Sequence, residues 1–175
     1  FGVPKADGSW GKCDPNEKKN ARTRCSAFIK SNLFNILIDT SPDLRNQLIS
    51  NKIKNIDLVI YTHMHGDQVH GINDLRVFAY KSKKKIPVYA DSITGKYLKK
   101  SFAYCFKNSP GYKSILKLNK LKKNLLFKKK NKFISVKAIK VEHGNINSQS
   151  LIFNESCAYI SDANKIYSND LKYFK

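Results

Sequence analysis

The 175 residues weigh 20.0 kDa, about the size of one ordinary domain, and with 41% hydrophobic and 26% charged residues the chain is neither disordered nor collagen-like. The longest apolar runs, Ile36-Leu37-Ile38 and Leu58-Val59-Ile60-Tyr61, fall far short of the roughly 18 residues that span a bilayer, so no membrane partner is expected. A net charge of +20 points first to a polyanion. Yet the 33 basic residues include only four Arg (Arg22, Arg24, Arg45, Arg76), and Arg has the planar fork that grips phosphates and bases. The lysines run in step with Asn and Ile, the mixture an AT-rich coding sequence dictates.

Residues 1–25 are turn-rich (Gly2, Pro4, Gly8, Gly11, Pro15) and predict a long loop. Two short apolar runs, 26–29 and 34–38, flank Lys30-Ser31-Asn32 and predict a β-hairpin. Thr40-Ser41-Pro42-Asp43 offers a cap followed by Pro, and Leu44, Leu48 and Ile49 then predict a short amphipathic helix to about Ser50. The continuous apolar run 56–61 predicts a strand buried on both faces. Beyond it, 73–80 is helix-like, 86–90 strand-like, and 92–100 helical behind an Asp91-Ser92 cap. The Lys-rich stretch 108–131 has weak periodicity and predicts a loop or insertion, whereas 133–141, 151–153 and 157–160 predict strands. Alternating strands and helices predict an α/β fold, with one domain over 1–175.

Phe1 is not an initiating residue, the only Met is Met64, and 173–175 follow an apparent helix start, so both ends are expected to be cut. Cys13, Cys25, Cys105 and Cys157 show neither CxxC spacing nor a dense framework, which predicts a reduced, cytoplasmic protein.

Three of the four histidines fall in Thr62-His63-Met64-His65-Gly66-Asp67-Gln68-Val69-His70-Gly71. Imidazole and carboxylate suit Zn, Mn or Fe, and a loop leaving a rigid strand can aim His63 and His65 at one point and Asp67 at a neighbouring one. His143, before Gly144, ends a predicted strand and could complete a three-histidine site; Asp162, at another strand end, could bridge two metals.

Taken in order, these segments resemble the metallo-β-lactamase fold hydrolases, whose motif is His-x-His-x-Asp-His followed by a single His and then an Asp. Residues 38–45, 62–71 and 71–76 look like the subgroup containing phosphoribosyl cyclic phosphate phosphodiesterases. So do the opening Gly2-Val3-Pro4, Trp10-Gly11-Lys12-Cys13-Asp14-Pro15 and Asn20-Ala21-Arg22-Thr23-Arg24-Cys25-Ser26. The resemblance implies an α/β (α+β) fold, a four-layer αβ/βα sandwich incomplete at the C-terminus, with two Zn2+ sites, or Mn2+, at one edge. His63, His65 and His143 would bind the first metal, Asp67 the second, and Asp162 would bridge them; His65 and Asp67 count as catalytic. A metal-bound hydroxide would attack a small cyclic phosphate or nucleotide-like phosphodiester in line, since two cations lower the pKa of water and clamp charge on phosphate oxygens.

Two features depart from that pattern. Gln68 stands where the motif has its third His, and an amide oxygen is a weaker ligand than imidazole. No His follows His143, although the family supplies another near its C-terminus, and truncation is the expected reason. His70 is two residues out of register and is expected in a supporting role. Asp39 and Asp43 could orient histidines by hydrogen bonding or serve as a cap and a surface carboxylate, and Arg45 and Arg76 are expected in ion pairs. A homodimer is the expected assembly. The alternatives are an RNA 3′-end-processing endonuclease of the same fold, consistent with +20 and the clusters 83–85 and 128–130, and a degenerate non-catalytic member that binds an anionic partner.

Overall fold

The computed structural model describes residues 3–174; Phe1 and Gly2 of the opening loop and motif, and Lys175 at the end, lie outside the described residues. The expected hairpin pairs β1 (Ala27–Lys30) antiparallel with β2 (Asn35–Ile38). Ser31 Oγ closes its turn, accepting from Leu33 N and Phe34 N. β3 (Leu58–Ile60), β4 (Ile86–Ala90) and β5 (Leu116–Lys120) continue parallel to β2, giving the order β1-β2-β3-β4-β5. Parallel neighbours need crossovers, and helices supply them: α1 (Leu44–Ser50), the single turn α2 (Gly66–Val69), α3 (Arg76–Ser82), α4 (Ser92–Ser101) and α5 (Ala103–Phe106).

The continuous apolar runs of β2 and β3 are explained by burial on both faces. Leu37, Val59 and Val88 pack with Leu44, Leu75 and Leu98 of the helical layer. Ile36, Ile38, Leu58 and Ile60 point the other way, into a second core. That core is closed by an antiparallel sheet, β6 (Asn124–Lys129), β7 (Lys132–His143), β8 (Ile146–Phe153) and β9 (Cys157–Tyr159), in sequence order. Its inward residues Ile134, Val136, Ala138, Leu151 and Phe153 follow the two-residue period of a strand. Each wholly buried Leu or Ile contributes about 2 kcal/mol by leaving water. Helices, mixed sheet and antiparallel sheet stack as the α/β sandwich implies, three layers in the described residues. A 3-10 segment, Ser168–Phe174, follows, with the Tyr173 ring 4.4 Å from Lys137 Nζ.

Several expectations need correction. The stretch 108–131 is not a loop, since it holds β5 and β6. Both are edge strands, where Lys guards against edge-to-edge pairing and masks the apolar alternation. Residues 73–80 divide into a 3-10 turn, Ile72–Leu75, and α3. Asp43 stands at the N-cap of α1 but makes no capping bond; its carboxylate is taken by Arg24. Arg76 stacks on the Tyr112 ring at 4.4 Å and, among the described residues, neither it nor Arg45 forms an ion pair. Asp91 does cap α4, accepting from Thr94 N at 2.8 Å. All four cysteines are free, and no described helix is long and apolar enough to cross a membrane.

Candidate metal centre

Parallel strands deliver their C-terminal ends to one edge, the usual place for a site in an open α/β sheet. β2 ends into Asp39, and β3 ends into Tyr61-Thr62-His63. His65 precedes α2, and His143 ends β7 of the other sheet. The two sheets therefore converge on three imidazoles. One ring nitrogen from each of His63, His65 and His143 lies within 4.8 Å of the others. His65 Nδ1 is 3.2 Å from both His63 Nε2 and His143 Nε2.

The loop bearing these histidines is held from below. Thr40 N donates to Gln68 O, and Gly71 N donates to Thr40 O. Gly71 lies so close to the β2–α1 connection that a Cβ there would sit 2.0 Å from Ser41 O. Glycine is required for that approach.

His63 is buried and its ring is oriented by a relay. Asp39, wholly buried, accepts from Thr62 N at 2.8 Å and from Thr62 Oγ1 at 2.7 Å. Thr62 Oγ1 lies 3.0 Å from His63 Nδ1. When the Asp39 carboxyl is ionised it accepts the Thr62 hydroxyl proton, Thr62 Oγ1 is then the acceptor for His63 Nδ1–H, and the Nε2 lone pair faces the other two rings. Ser148 Oγ lies 3.4 Å from the same Nδ1, and Ser161 Oγ donates to Thr62 Oγ1. Burial, then the neighbouring His65 ring, pushes His63 down to about 4, so it is a neutral donor near pH 7. Burial pushes the Asp39 carboxyl up to about 8, against the pull of its two Thr62 bonds.

Beside the imidazoles stand two carboxylates. Asp162 Oδ2 lies 3.8 Å from His63 Nε2. Gln68 Nε2 donates to Asp162 Oδ2 at 3.2 Å and to Asp67 Oδ2 at 3.4 Å, while Gln68 Oε1 is buried without a partner. The residues expected to gather are thus His63, His65, His143, Asp67, Asp162 and Gln68, with Asp39 behind them. Asp43 and His70 do not join them. Asp43 accepts from Arg24 N and Nη1. His70 is exposed, with its ring 6.0 Å from Phe102. Thr62, Ser148 and Ser161 were not singled out from the sequence. Thr62 adjoins the first His, but hydroxyl residues on β8 and after β9 carry no local signal.

Converging imidazole nitrogens with carboxylates alongside fit a divalent cation of the Zn or Mn kind. Layered sheets with such a cluster at the strand ends define the class of metallo-β-lactamase fold hydrolases. The model of the beta-lactamase superfamily domain matches residues 34–174, and the chain belongs to that family. Among solved structures it is similar to a diphosphatase from the PhnP family, at 25% identity and a TM-score of 0.78, over 92% of this chain and 62% of that one. Human tRNase Z, short form, is similar in fold, with a TM-score of 0.62 at 16% identity over 87% of this chain and 68% of that one. A Porphyromonas gingivalis octanoyltransferase is 28% identical over 99% of this chain, which spans only 35% of that protein's length.

Proposed function

We propose that the chain is a metal-dependent phosphoric ester hydrolase acting on a small cyclic phosphate or nucleotide-like diester. The observation that carries the reading is the meeting of three imidazole nitrogens within 4.8 Å, with the Asp67 and Asp162 carboxylates bonded to the adjoining Gln68. Likeness to the PhnP-family diphosphatase supports phosphoryl chemistry in particular. In this reading His63, His65 and His143 hold the cation, Zn2+ or Mn2+. When bound, such a cation makes water a better nucleophile and offsets charge on phosphate oxygens.

The chain's own groups do the rest. Asp39 and Thr62 keep the His63 proton on Nδ1, so that Nε2 is free to ligate. Asp67, on the exposed side of α2, receives the proton lost by the attacking water at its carboxylate. Asp162 keeps negative charge beside the ring of His63 and so holds the cation more firmly.

The test is hydrolysis of bis(p-nitrophenyl) phosphate with added zinc or manganese, by the wild type and by His65→Ala. Turnover in the first and its loss in the second support the proposal. A wild type that binds the metal but cleaves no phosphoric ester overturns it.

A further inference from the structure

Gln68 is completely buried, yet it lies between two acidic side chains. Its Nε2 donates to Asp162 Oδ2 at 3.2 Å and Asp67 Oδ2 at 3.4 Å. Two carboxylates that meet at one point repel each other unless a cation or a hydrogen-bond donor stands between them. A side-chain amide has two N–H donors on one nitrogen, and here each is directed to a different carboxylate. The amide orientation is settled by its neighbours, because the reverse would set Oε1 against two anionic oxygens. The cost of the arrangement is visible in Oε1, which is buried without a donor.

Gln68 therefore occupies, with neutral N–H groups, the place between carboxylates where a cation would otherwise be needed. For a cation to enter, Nε2 would have to leave both oxygens. The only ligand Gln68 could then offer is a neutral amide oxygen, which a borderline metal favours far less than imidazole. The three-imidazole cluster is under no such constraint, since none of its ring nitrogens is engaged by Gln68.

We infer that the chain holds a single divalent cation, at His63, His65 and His143, and that the Gln68 amide takes the place of a second one between Asp67 and Asp162. This rests on the reading of the histidine cluster as a cation site, and it makes the hydrolase mononuclear. Asp67 and Asp162 then remain free of metal, bonded to Gln68, with Asp162 also beside His63.

The experiment is metal content of the full-length protein after dialysis against buffered Zn2+, for the wild type, Gln68→His and His143→Ala, together with electron paramagnetic resonance of the Mn2+-loaded wild type and Gln68→His. The expected result is one equivalent in the wild type with an isolated-ion Mn2+ spectrum, and a rise toward two with an exchange-coupled spectrum in Gln68→His. His143→Ala falls below one. Two equivalents or a coupled Mn2+ pair in the wild type overturn the inference while leaving the cluster reading intact. No bound metal in the wild type overturns both. The wild-type result decides by itself should Gln68→His fail to fold.

Discussion

Asp39 holds Thr62 at two points, accepting from its backbone N at 2.8 Å and from its Oγ1 at 2.7 Å, although 23 residues separate them. The contact ties the end of β2 to the end of β3 at the residue preceding the first histidine. Asp39 adopts a left-handed backbone, φ 59°, which Asp and Asn tolerate better than other side chains with a Cβ. Turning there brings its carboxylate beneath Thr62 instead of into solvent.

Asp39→Asn preserves the shape and the backbone conformation but removes one acceptor. Thr62 Oγ1 then faces an amide N–H and no longer has a fixed acceptor for its proton, so the His63 tautomer is released. Loss of such supporting bonds costs about 10–100-fold in metal affinity. Calorimetric titration with Zn2+ measures this. Folding of the metal-free protein suffers little, because the buried amide has no charge to desolvate. Unchanged zinc affinity in Asp39→Asn would remove the relay from the account.

His63 gives the metal-free protein a pH dependence of known sign. Its folded pKa, about 4, lies below the ordinary 6.5, so between these values the unfolded chain binds more protons. The contribution is fully present above about pH 6.5 and is lost as pH falls toward 4, by an amount on the order of 3 kcal/mol. Asp39 works in the opposite direction: burial pushes its carboxyl up to about 8, so in the metal-free protein its contribution declines as pH rises from 3.8 through 8. The bond it accepts from Thr62 Oγ1 belongs to its ionised form. The difference in urea stability between wild type and His63→Gln at each pH cancels Asp39 and isolates His63. Parallel curves from pH 4 to 7 are the result that contradicts the prediction.

Asp43 lies in the segment that resembles the family motif, yet its partner is Arg24, through Nη1 at 3.0 Å and the backbone N at 2.7 Å. Arg24 is 38% exposed, so solvent screens the charge pair and most of the value lies in the backbone bond. Asp43→Ala should lower stability by about 1 kcal/mol by releasing the N-terminal segment. Zinc affinity should stay at the wild-type value, and a clear drop would return Asp43 to the metal centre.

The legible parts of the molecule were those whose neighbours along the chain settle their environment. β2, β3, β4, α1 and α4 have apolar spacing and flanking turns that state their burial. Three histidines within eight residues identify a ligand loop without tertiary information. β5 and β6 were hidden because an edge strand has only part of its surface in the core, and Lys fills the rest. Ser148 reaches His63 across 85 residues and Ser161 reaches Thr62 across 99, contacts that no local pattern encodes. His70 shares the histidine segment, but it ends α2 facing Phe102, because one helical turn carries it past the cluster.

Gly71 links stability to the metal centre. A Cβ at this position would meet Ser41 O at 2.0 Å and Leu44 Cβ at 2.9 Å, and the backbone oxygen has no rotamer by which to withdraw. Gly71→Ala must therefore push the ligand loop off the β2–α1 connection, breaking the bond from Gly71 N to Thr40 O at 2.8 Å. A loss of roughly 3 kcal/mol is expected in urea unfolding, as for other overpacked sites. Zinc affinity should fall with it, because His63 and His65 ride on the displaced loop. Gly111→Ala is the control: Gly111 has φ +73° but open space around it, so only the backbone cost of about 1 kcal/mol applies and zinc binding stays intact. Equal losses in the two variants would show that the contact with Ser41 does not anchor the loop.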